Sequence, residues 1–216
     1  MKPTVMHLLF ISIIMVLTGC SLDVEQAAST EQQAVNEVKA PYAQAAITVN
    51  ITATPDLNSL DDIANSCSLL IIQSQKLNPL NNILNNPAQL KSLFSGGSSE
   101  DEILKVDRYP VMPSQRISLH IDRTENTHYV AVVAGYYPFP KKQHMTIVRI
   151  PVTTTSKGFW NKKWYAEMEN LAININLGSQ SITQLTTTSY RWDSLPSKES
   201  TDQKSTNDKV IETGVK

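Results

Sequence analysis

Residues 171–177 read LAININL, and this stretch decides the fold class of the chain. Apolar side chains occupy every second position, which is the period of a β-strand with one buried face. The residues predicted to face a core are Leu171, Ile173, Ile175 and Leu177. The residues predicted to face outward are Ala172, Asn174 and Asn176. The chain is therefore expected to be built mainly from β-strands.

The same period of two recurs upstream, in AITVNITA (46–53) and ISLHID (117–122). In the first, Ile47, Val49 and Ile51 are predicted to point inward, and in the second, Ile117, Leu119 and Ile121. Further candidate strands are CSLLIIQS (67–74), HYVAVVAGYY (128–137), MTIVRIPV (145–152) and, with weaker patterns, DEILKVDRY (101–109) and SITQLTT (181–187). Six to eight short strands at this spacing predict a two-sheet β-sandwich.

Residues 78–97 interrupt the strand pattern. Asn-Pro occurs twice, at Asn78-Pro79 and Asn86-Pro87, and Asn as N-cap with Pro at the first helical position is a helix-start signal. Gly96-Gly97 is a stop signal. We expect one or two short helices that cover the sandwich, with a ligand-binding lid as the alternative. The residues predicted to pack inward are Leu80, Ile83, Leu84, Leu90, Leu93 and Phe94.

Residues 1–19 have the form of a signal peptide. Lys2 precedes the apolar run HLLFISIIMVL, which is short for a membrane-spanning helix. The small residues before Cys20 predict cleavage between Gly19 and Cys20. The pattern LTGC (17–20) resembles the lipobox of bacterial lipoproteins, in which the cysteine carries lipid. The alternative is an ordinary secreted protein with a chance cysteine.

The residue after the cysteine bears on sorting. In the lipoproteins that this pattern resembles, Asp directly after the lipidated cysteine favours retention in the inner membrane, whereas Ser permits transport to the outer membrane. Ser21 therefore predicts an outer-membrane location.

The rest of the chain divides by composition. Residues 20–45 are polar and rich in Ala and Gln, which predicts a lipidated, flexible tether whose composition could permit transient helix. Residues 193–216 lack aromatic side chains and mix charges, which predicts a disordered tail. The β-sandwich domain is expected between them, over 46–192.

Charge and motifs argue against several functional classes. The formal net charge is −1, so nothing favours nucleic acid binding. His120, His128 and His144 lie on or beside different strands without metal-ligand spacing. Common catalytic motifs are lacking. We therefore expect no catalytic residues, no metal, no small-molecule substrate and no cofactor apart from covalent lipid on Cys20.

Two further features have alternative interpretations. Cys67 lies in an apolar run and is interpreted as a small core residue, with a regulatory thiol as the alternative. Trp160, Trp164 and Tyr165, in GFWNKKWY (158–165), could form a platform for a sugar or peptide. Packing at the core or its rim is the favoured interpretation.

The order of these features resembles the TssJ (SciN/VasD) family, the lipoproteins of the type VI secretion system. The resemblance rests on the lipobox, the tether, ITVNITATPDLN (47–58), the apolar strand, the helical insertion, HYVAVVAGYYPFP (128–140) and LAININL. It covers about residues 46–178. GFWNKKWY and the long tail look like additions to the family pattern.

The resemblance implies a transthyretin-like β-sandwich with a helical addition, anchored by lipid to the periplasmic face of the outer membrane. It implies a protein without enzymatic activity that binds the periplasmic part of the inner-membrane protein TssM and braces the secretion complex. In the family this contact is associated with the loop between the first two strands, here 55–66. The predicted contact residues are Asp56, Leu57, Asn58, Leu60, Asp61 and Asp62.

The residues of this loop leave two possibilities open. Leu57, Leu60 and Ile63 are apolar side chains in a polar segment, and they could anchor a partner or fold back onto the core. For the whole protein, the alternatives are a lipoprotein of another assembly system, such as a pilus or type IV secretion, and a periplasmic ligand-binding module or envelope enzyme.

Overall fold

The computed structural model describes residues 27–97, 102–138, 140–187 and 211–212. The predicted leader, Gly19, Cys20, Ser21 and most of the predicted tail lie outside these residues. The elements are α1 (Glu31–Asn36), β1 (Ala43–Ala53), β2 (Cys67–Ser74), α2 (Leu77–Leu84), α3 (Pro87–Phe94), β3 (Ile103–Val111), β4 (Arg116–Arg123), β5 (Tyr129–Gly135), a 3₁₀ turn (Lys142–His144), β6 (Met145–Arg149), β7 (Val152–Lys157), β8 (Lys163–Met168), β9 (Leu171–Leu177), β10 (Ile182–Thr187) and β11 (Ile211–Glu212).

Two sheets form the body of the molecule, which confirms the predicted mainly β sandwich. The first has the strand order β11-β10-β9-β1-β4 and the second the order β3-β2-β5-β6. Strand β1 pairs parallel with β9 and antiparallel with β4. The parallel register sets Val49 opposite Ile173 and Asn50 opposite Asn174. The apolar residues of the two strands therefore lie on the same face of the sheet, and that face is apolar.

The main core lies between the two sheets. Strand β1 contributes Ile47, Val49 and Ile51, and the second sheet contributes residues such as Leu69 and Ile71 from β2. On the opposite, solvent-facing side of the first sheet, polar side chains bond to one another across strands. The Asn50 amide donates to Asn174 Oδ1 at 2.8 Å, and the Ser118 hydroxyl donates to Asn50 Oδ1 at 2.7 Å.

A second core lies on the outer face of the second sheet. Alternate residues of β2 and β5, including Leu70, Ile72 and Val133, point there and are covered by α2 and α3. Because both faces of these strands are buried, their sequences are continuous apolar runs instead of alternating patterns. The helices bury Leu80, Ile83, Leu90 and Leu93. The helical insertion is thus a cover on the sheet, as predicted.

The two helices differ in how well their starts were predicted. Helix α3 begins as expected, since Asn86 Oδ1 accepts from the backbone N–H of Ala88 at 3.1 Å and of Gln89 at 3.2 Å. Helix α2 begins at Leu77, so the prediction of Asn78 as its N-cap is wrong. Pro79 is tolerated in the first turn because backbone N–H groups there have no intrahelical acceptor.

Part of the predicted flexible tether belongs to the fold. Ala28, Ala34, Val38 and Ala40 are buried, and α1 packs on β7 and β8. The expectation of a flexible tether over all of 20–45 is corrected for residues 28–45. Small alanines let this segment approach the domain closely. The free energy gained by burying its apolar surface exceeds the cost of the conformational entropy that a flexible tether would retain.

The buried guanidinium of Arg123 fixes this segment to the body. It donates to the carbonyl of Pro41 at 3.2 Å and to that of Glu169 at 3.1 Å. Pro41 precedes β1 and Glu169 follows β8. One side chain of β4 therefore joins the residues that enter the sandwich to the base of the β7–β8 hairpin.

The β7–β8 hairpin was not predicted. Its register runs from Val152 opposite Met168 to Lys157 opposite Lys163. Few of its residues are apolar and none is fully buried, so the period of two is weak in its sequence. Its ladder is extended by Ala28, whose N–H donates to the Trp164 carbonyl at 2.8 Å.

Burial makes Cys67 a core residue. Its side chain is fully buried without a disulfide, and burial raises the pKa of its thiol to about 12. Because the thiolate is the reactive form, we expect native Cys67 to resist Ellman's reagent and to react once guanidinium unfolds the chain. The experiment uses a chain that begins at Ser21, which contains all the described elements.

The matched control is Ser66→Cys in a Cys67→Ser background. Residue 66 is exposed directly beside the buried position, so its thiol should react at once in the native protein. Native Cys67 reacting as fast as this control would contradict its core position.

Candidate functional site at the loop end of the sandwich

Four connections meet at one end of the sandwich, here called the loop end. They are residues 54–66 between β1 and β2, residues 112–115, residues 136–144 and residues 178–181. The strand registers place them together, since Ala53 pairs with Leu177 and Cys67 pairs with Val111. The predicted contact loop, 55–66, is thus surrounded by three other connections.

Leu57 points into the core. Its side chain is fully buried and belongs to the cluster between the sheets. Its N–H donates to the Thr54 carbonyl at 3.2 Å, and its carbonyl accepts from the Asn65 N–H at 2.9 Å. The prediction of Leu57 as a surface contact is corrected. Burying apolar surface stabilises the fold by about 25 cal/mol per Å². At this point of the loop the Leu57 side chain can reach the core, so it is buried there.

Asn58 is buried as well and holds the loop in shape. Its φ of 47° lies in the left-handed region, which Asn tolerates better than most residues. Its side-chain amide donates to the Ser66 carbonyl at 2.8 Å, and its Oδ1 accepts from the Tyr137 N–H at 2.8 Å. Asn58 therefore positions two loops and is not itself a surface contact, which corrects its predicted role.

The loop is also bonded to the turn between β9 and β10. The Ser59 N–H donates to the Ser179 carbonyl at 2.8 Å. Nearby, the buried Tyr136 hydroxyl donates to the Ser181 carbonyl at 2.7 Å. Burial raises the pKa of Tyr136 above its ordinary value, so the phenol keeps its proton and remains a donor.

The tip of the loop is a tight hairpin turn. Leu60 and Ile63 exchange two backbone hydrogen bonds, with N–O distances of 3.0 and 2.9 Å. Between them, Asp61 and Asp62 have φ values of 50° and 61°, as a type I′ turn requires at both central positions. Residues that face each other across such a ladder present their side chains on the same side. Leu60 and Ile63 therefore stand side by side.

These two apolar side chains are exposed. Leu60 is 43% and Ile63 67% exposed, whereas Leu57 at the base of the loop is fully buried. The two open possibilities for the loop thus apply to different residues. Its base folds back onto the core, and its tip presents an apolar pair to solvent.

Two more apolar side chains are exposed on neighbouring connections at the loop end. Tyr137 lies just after β5, and Met112 starts the β3–β4 turn. Tyr137 is bonded to Asn58, and the Ser114 N–H of that turn donates to the Thr54 carbonyl at 3.1 Å. Neither residue was predicted from the sequence, because nothing in the chain order shows that these loops converge.

The charge at the tip is negative. Asp56, Asp61 and Asp62 are all exposed. Lys141 and Lys142, also exposed, lie on the 136–144 connection. The arrangement suits a protein partner with an apolar contact and a charged rim.

The histidines of the described chain do not form a chemical cluster. Burial lowers the pKa of His144, which accepts a hydrogen bond from the Lys141 N–H, and burial likewise lowers the pKa of His128. His120 lies on the outer face of the first sheet, beside the Thr48 hydroxyl. In the part of the chain that the structure describes, no three His, Cys, Asp or Glu side chains are grouped to hold a metal.

No helix among the described elements has the length and apolar character needed to cross a bilayer.

A family model for type VI secretion lipoproteins, which names VasD, EvfM and TssJ, matches residues 45–180. No curated protein sequence matches the chain.

Several solved structures are similar in fold. The lipoprotein TssJ1 of Pseudomonas aeruginosa is 17% identical, with a TM-score of 0.45, over 68% of this chain and 96% of that one. A chain of a type VI membrane complex is 14% identical, with a TM-score of 0.47, over 68% and 98%. Serratia marcescens Lip, a membrane-bound component of the type VI secretion system, is 13% identical, with a TM-score of 0.43, over 63% and 93%.

The division of the loop predicts contrasting effects on stability. Leu57→Ala should lower the free energy of unfolding by about 2–5 kcal/mol, because it leaves a cavity in the core. Leu60→Ala and Ile63→Ala should each change it by no more than about 0.5 kcal/mol, because both side chains are exposed. Urea denaturation followed by circular dichroism measures all three. A loss at Ile63 as large as that at Leu57 would show that the tip is packed.

Proposed function

The chain belongs to the family of type VI secretion lipoproteins, and from this membership we propose that it joins the outer membrane to the secretion complex. In this proposal, Cys20 carries the lipid, Ser21 directs the protein to the periplasmic face of the outer membrane, and the loop end binds the periplasmic part of TssM. The role is structural: the protein braces the membrane complex.

The observation that carries the partner site is the exposed pair Leu60 and Ile63 at the tip of a rigid loop. Large apolar side chains held away from the core commonly mark an interaction site when others lie close by. Tyr137 and Met112 supply such neighbours on adjoining connections. The tyrosine also has the amphipathic character that is frequent in interface hot spots.

The rigidity of the loop favours tight binding. Asn58 bonds across the loop to the Ser66 carbonyl and outside it to the Tyr137 N–H, and Ser59 is bonded to the β9–β10 turn. Ordering a flexible loop on binding costs about 0.5–1.5 kcal/mol for each immobilised side chain. A loop that is already fixed in the free protein avoids much of this cost.

The ends of the sandwich also suit a bridging role. Residues 37–42 enter β1 at the end opposite the loop end, and β1 is 11 residues long. At about 3.3 Å per residue, this strand spans about 35 Å. A lipid attached before the domain and a partner bound at the loop end would therefore be held on opposite sides of the body.

We expect the double variant Leu60→Asp with Ile63→Asp to bind the periplasmic part of TssM at least about thirtyfold more weakly, since losing a hot spot costs about 2 kcal/mol or more. Calorimetric titration beside a thermal melt measures both affinity and folding. The matched control is Phe159→Asp with Trp160→Asp, an exposed apolar pair outside the loop end, which should bind normally. Undiminished affinity of the Leu60/Ile63 variant with a native melt would remove the tip from the interface.

The sorting proposal rests on Ser21. Ser21→Asp should move the protein from the outer to the inner membrane and reduce type VI secretion, although the folded domain is unchanged. Density-gradient fractionation of the membranes measures this. Cys20→Ser serves as the comparison and should abolish lipid attachment, because a hydroxyl does not replace the attacking thiolate. Ser21→Asp protein that stays in the outer-membrane fraction would overturn sorting by this residue.

A further inference from the structure

The tip of the β7–β8 hairpin exposes two large aromatic side chains. Phe159 is 88% and Trp160 94% exposed, more than any other large apolar side chain that the structure describes. Their ring centroids are 5.7 Å apart, in an edge-to-face arrangement. The interpretation of Trp160 as a packing residue is therefore wrong, since this side chain has no core to enter. A pair of large aromatic side chains exposed together commonly marks an interaction site.

The charged residues of the hairpin turn itself are all positive. Lys157, Lys162 and Lys163 flank it, and the segment 156–164 contains no Asp or Glu. The ammonium of Lys157 lies 4.6 Å from the centre of the Tyr165 ring, at the neck of the hairpin. Aromatic tips beside lysines are typical of segments that rest in the interface of an anionic bilayer, where Trp prefers the headgroup level and Lys binds phosphate.

The position of the hairpin in the fold also favours contact with the bilayer surface. Ala28 pairs with Trp164 through two backbone hydrogen bonds of 2.8 and 2.9 Å. Cys20 stands eight positions before Ala28, and eight extended residues span at most about 28 Å. Trp160 lies four positions before Trp164, in the turn of the hairpin, and four residues span at most about 14 Å. A lipid on Cys20 would thus keep the hairpin tip within reach of the bilayer.

We propose that the hairpin tip inserts into the headgroup region of the leaflet that holds the lipid anchor. Phe159 and Trp160 enter the boundary between headgroups and acyl chains, and Lys162 and Lys163 bind anionic headgroups. This second membrane contact rests on the lipid anchoring of the proposed function. The contact is distinct from the loop end, because the base of the hairpin, at Glu169, lies at the other end of β1.

The test uses the mature lipidated protein in vesicles of phosphatidylethanolamine and phosphatidylglycerol. With Trp164→Phe and Trp192→Phe in place, Trp160 is the sole tryptophan. We expect its emission to shift to shorter wavelength on reconstitution and to be quenched by lipids brominated in their acyl chains. Trp160 emission that is neither shifted nor quenched would overturn the proposal. The same result is expected if the tip binds a protein or a glycan and not the membrane.

A matched reporter at the loop end controls for indirect effects of membrane attachment. In a background with Trp160→Phe as well, Tyr137→Trp places the sole tryptophan at an exposed position of the loop end. This reporter should be neither shifted nor quenched. Equal quenching of the two reporters would show that the hairpin tip has no preferred contact with the bilayer, and would overturn the proposal.

Two variants test the charges and separate this proposal from the proposed function. Lys162→Glu with Lys163→Glu should reduce Trp160 quenching in vesicles containing phosphatidylglycerol, and unchanged quenching would overturn the role of the lysines. Leu60→Asp with Ile63→Asp should lose TssM binding and keep Trp160 quenching. If the proposed anchor is wrong, the protein fails to float with the vesicles at all, a result distinct from flotation without quenching.

Discussion

The parallel pairing of β1 with β9 is the constraint on which the arrangement of this molecule depends. It joins a strand near the start of the domain to one near its end, with Ile47 opposite Leu171 and Ala53 opposite Leu177. A parallel pair cannot be closed by a short turn, so the chain between these strands must travel out and return. That intervening chain forms the whole second sheet, its helical cover and the β7–β8 hairpin.

The same pairing decides which parts of the chain share an end. Since β1 and β9 run in one direction, the residues that follow them meet, and the Ser59 N–H can bond to the Ser179 carbonyl. The residues that precede them meet at the other end, where Arg123 binds the carbonyls of Pro41 and Glu169. The exposed loop tip and the N-terminal segment are therefore separated by the length of the sheet.

The sequence predicted those parts of the fold in which one periodicity dominates. Strands β1 and β9 alternate strictly because one face is solvated, and Asn86-Pro87 marks the start of α3 because its cap is local. The β7–β8 hairpin was missed because its packing partner, α1, is distant in the chain and its own side chains are mostly exposed. Only part of the site could be predicted from the sequence. Composition showed a polar loop with apolar residues, but not which of them are buried. That depends on the left-handed backbone at Asn58 and at Asp61-Asp62, with which Leu57 points inward and Ile63 outward.

The shortened tether changes what the proposed anchor can do. A flexible linker from residue 21 to residue 45 would allow the domain to drift and turn freely. Instead, Ala28 is bonded to β8, and Val38 and Ala40 are buried, so few residues remain between Cys20 and the fold. A single short attachment still permits rotation about one point. Adding a second contact at Phe159 and Trp160 would remove most of that rotation, because two separated points on a rigid body define its tilt against a plane. The loop end, held on the far side of an about 35 Å sheet, would then be directed away from the membrane before any partner arrives. In that state, binding costs less orientational entropy, which is the advantage of a preorganised surface.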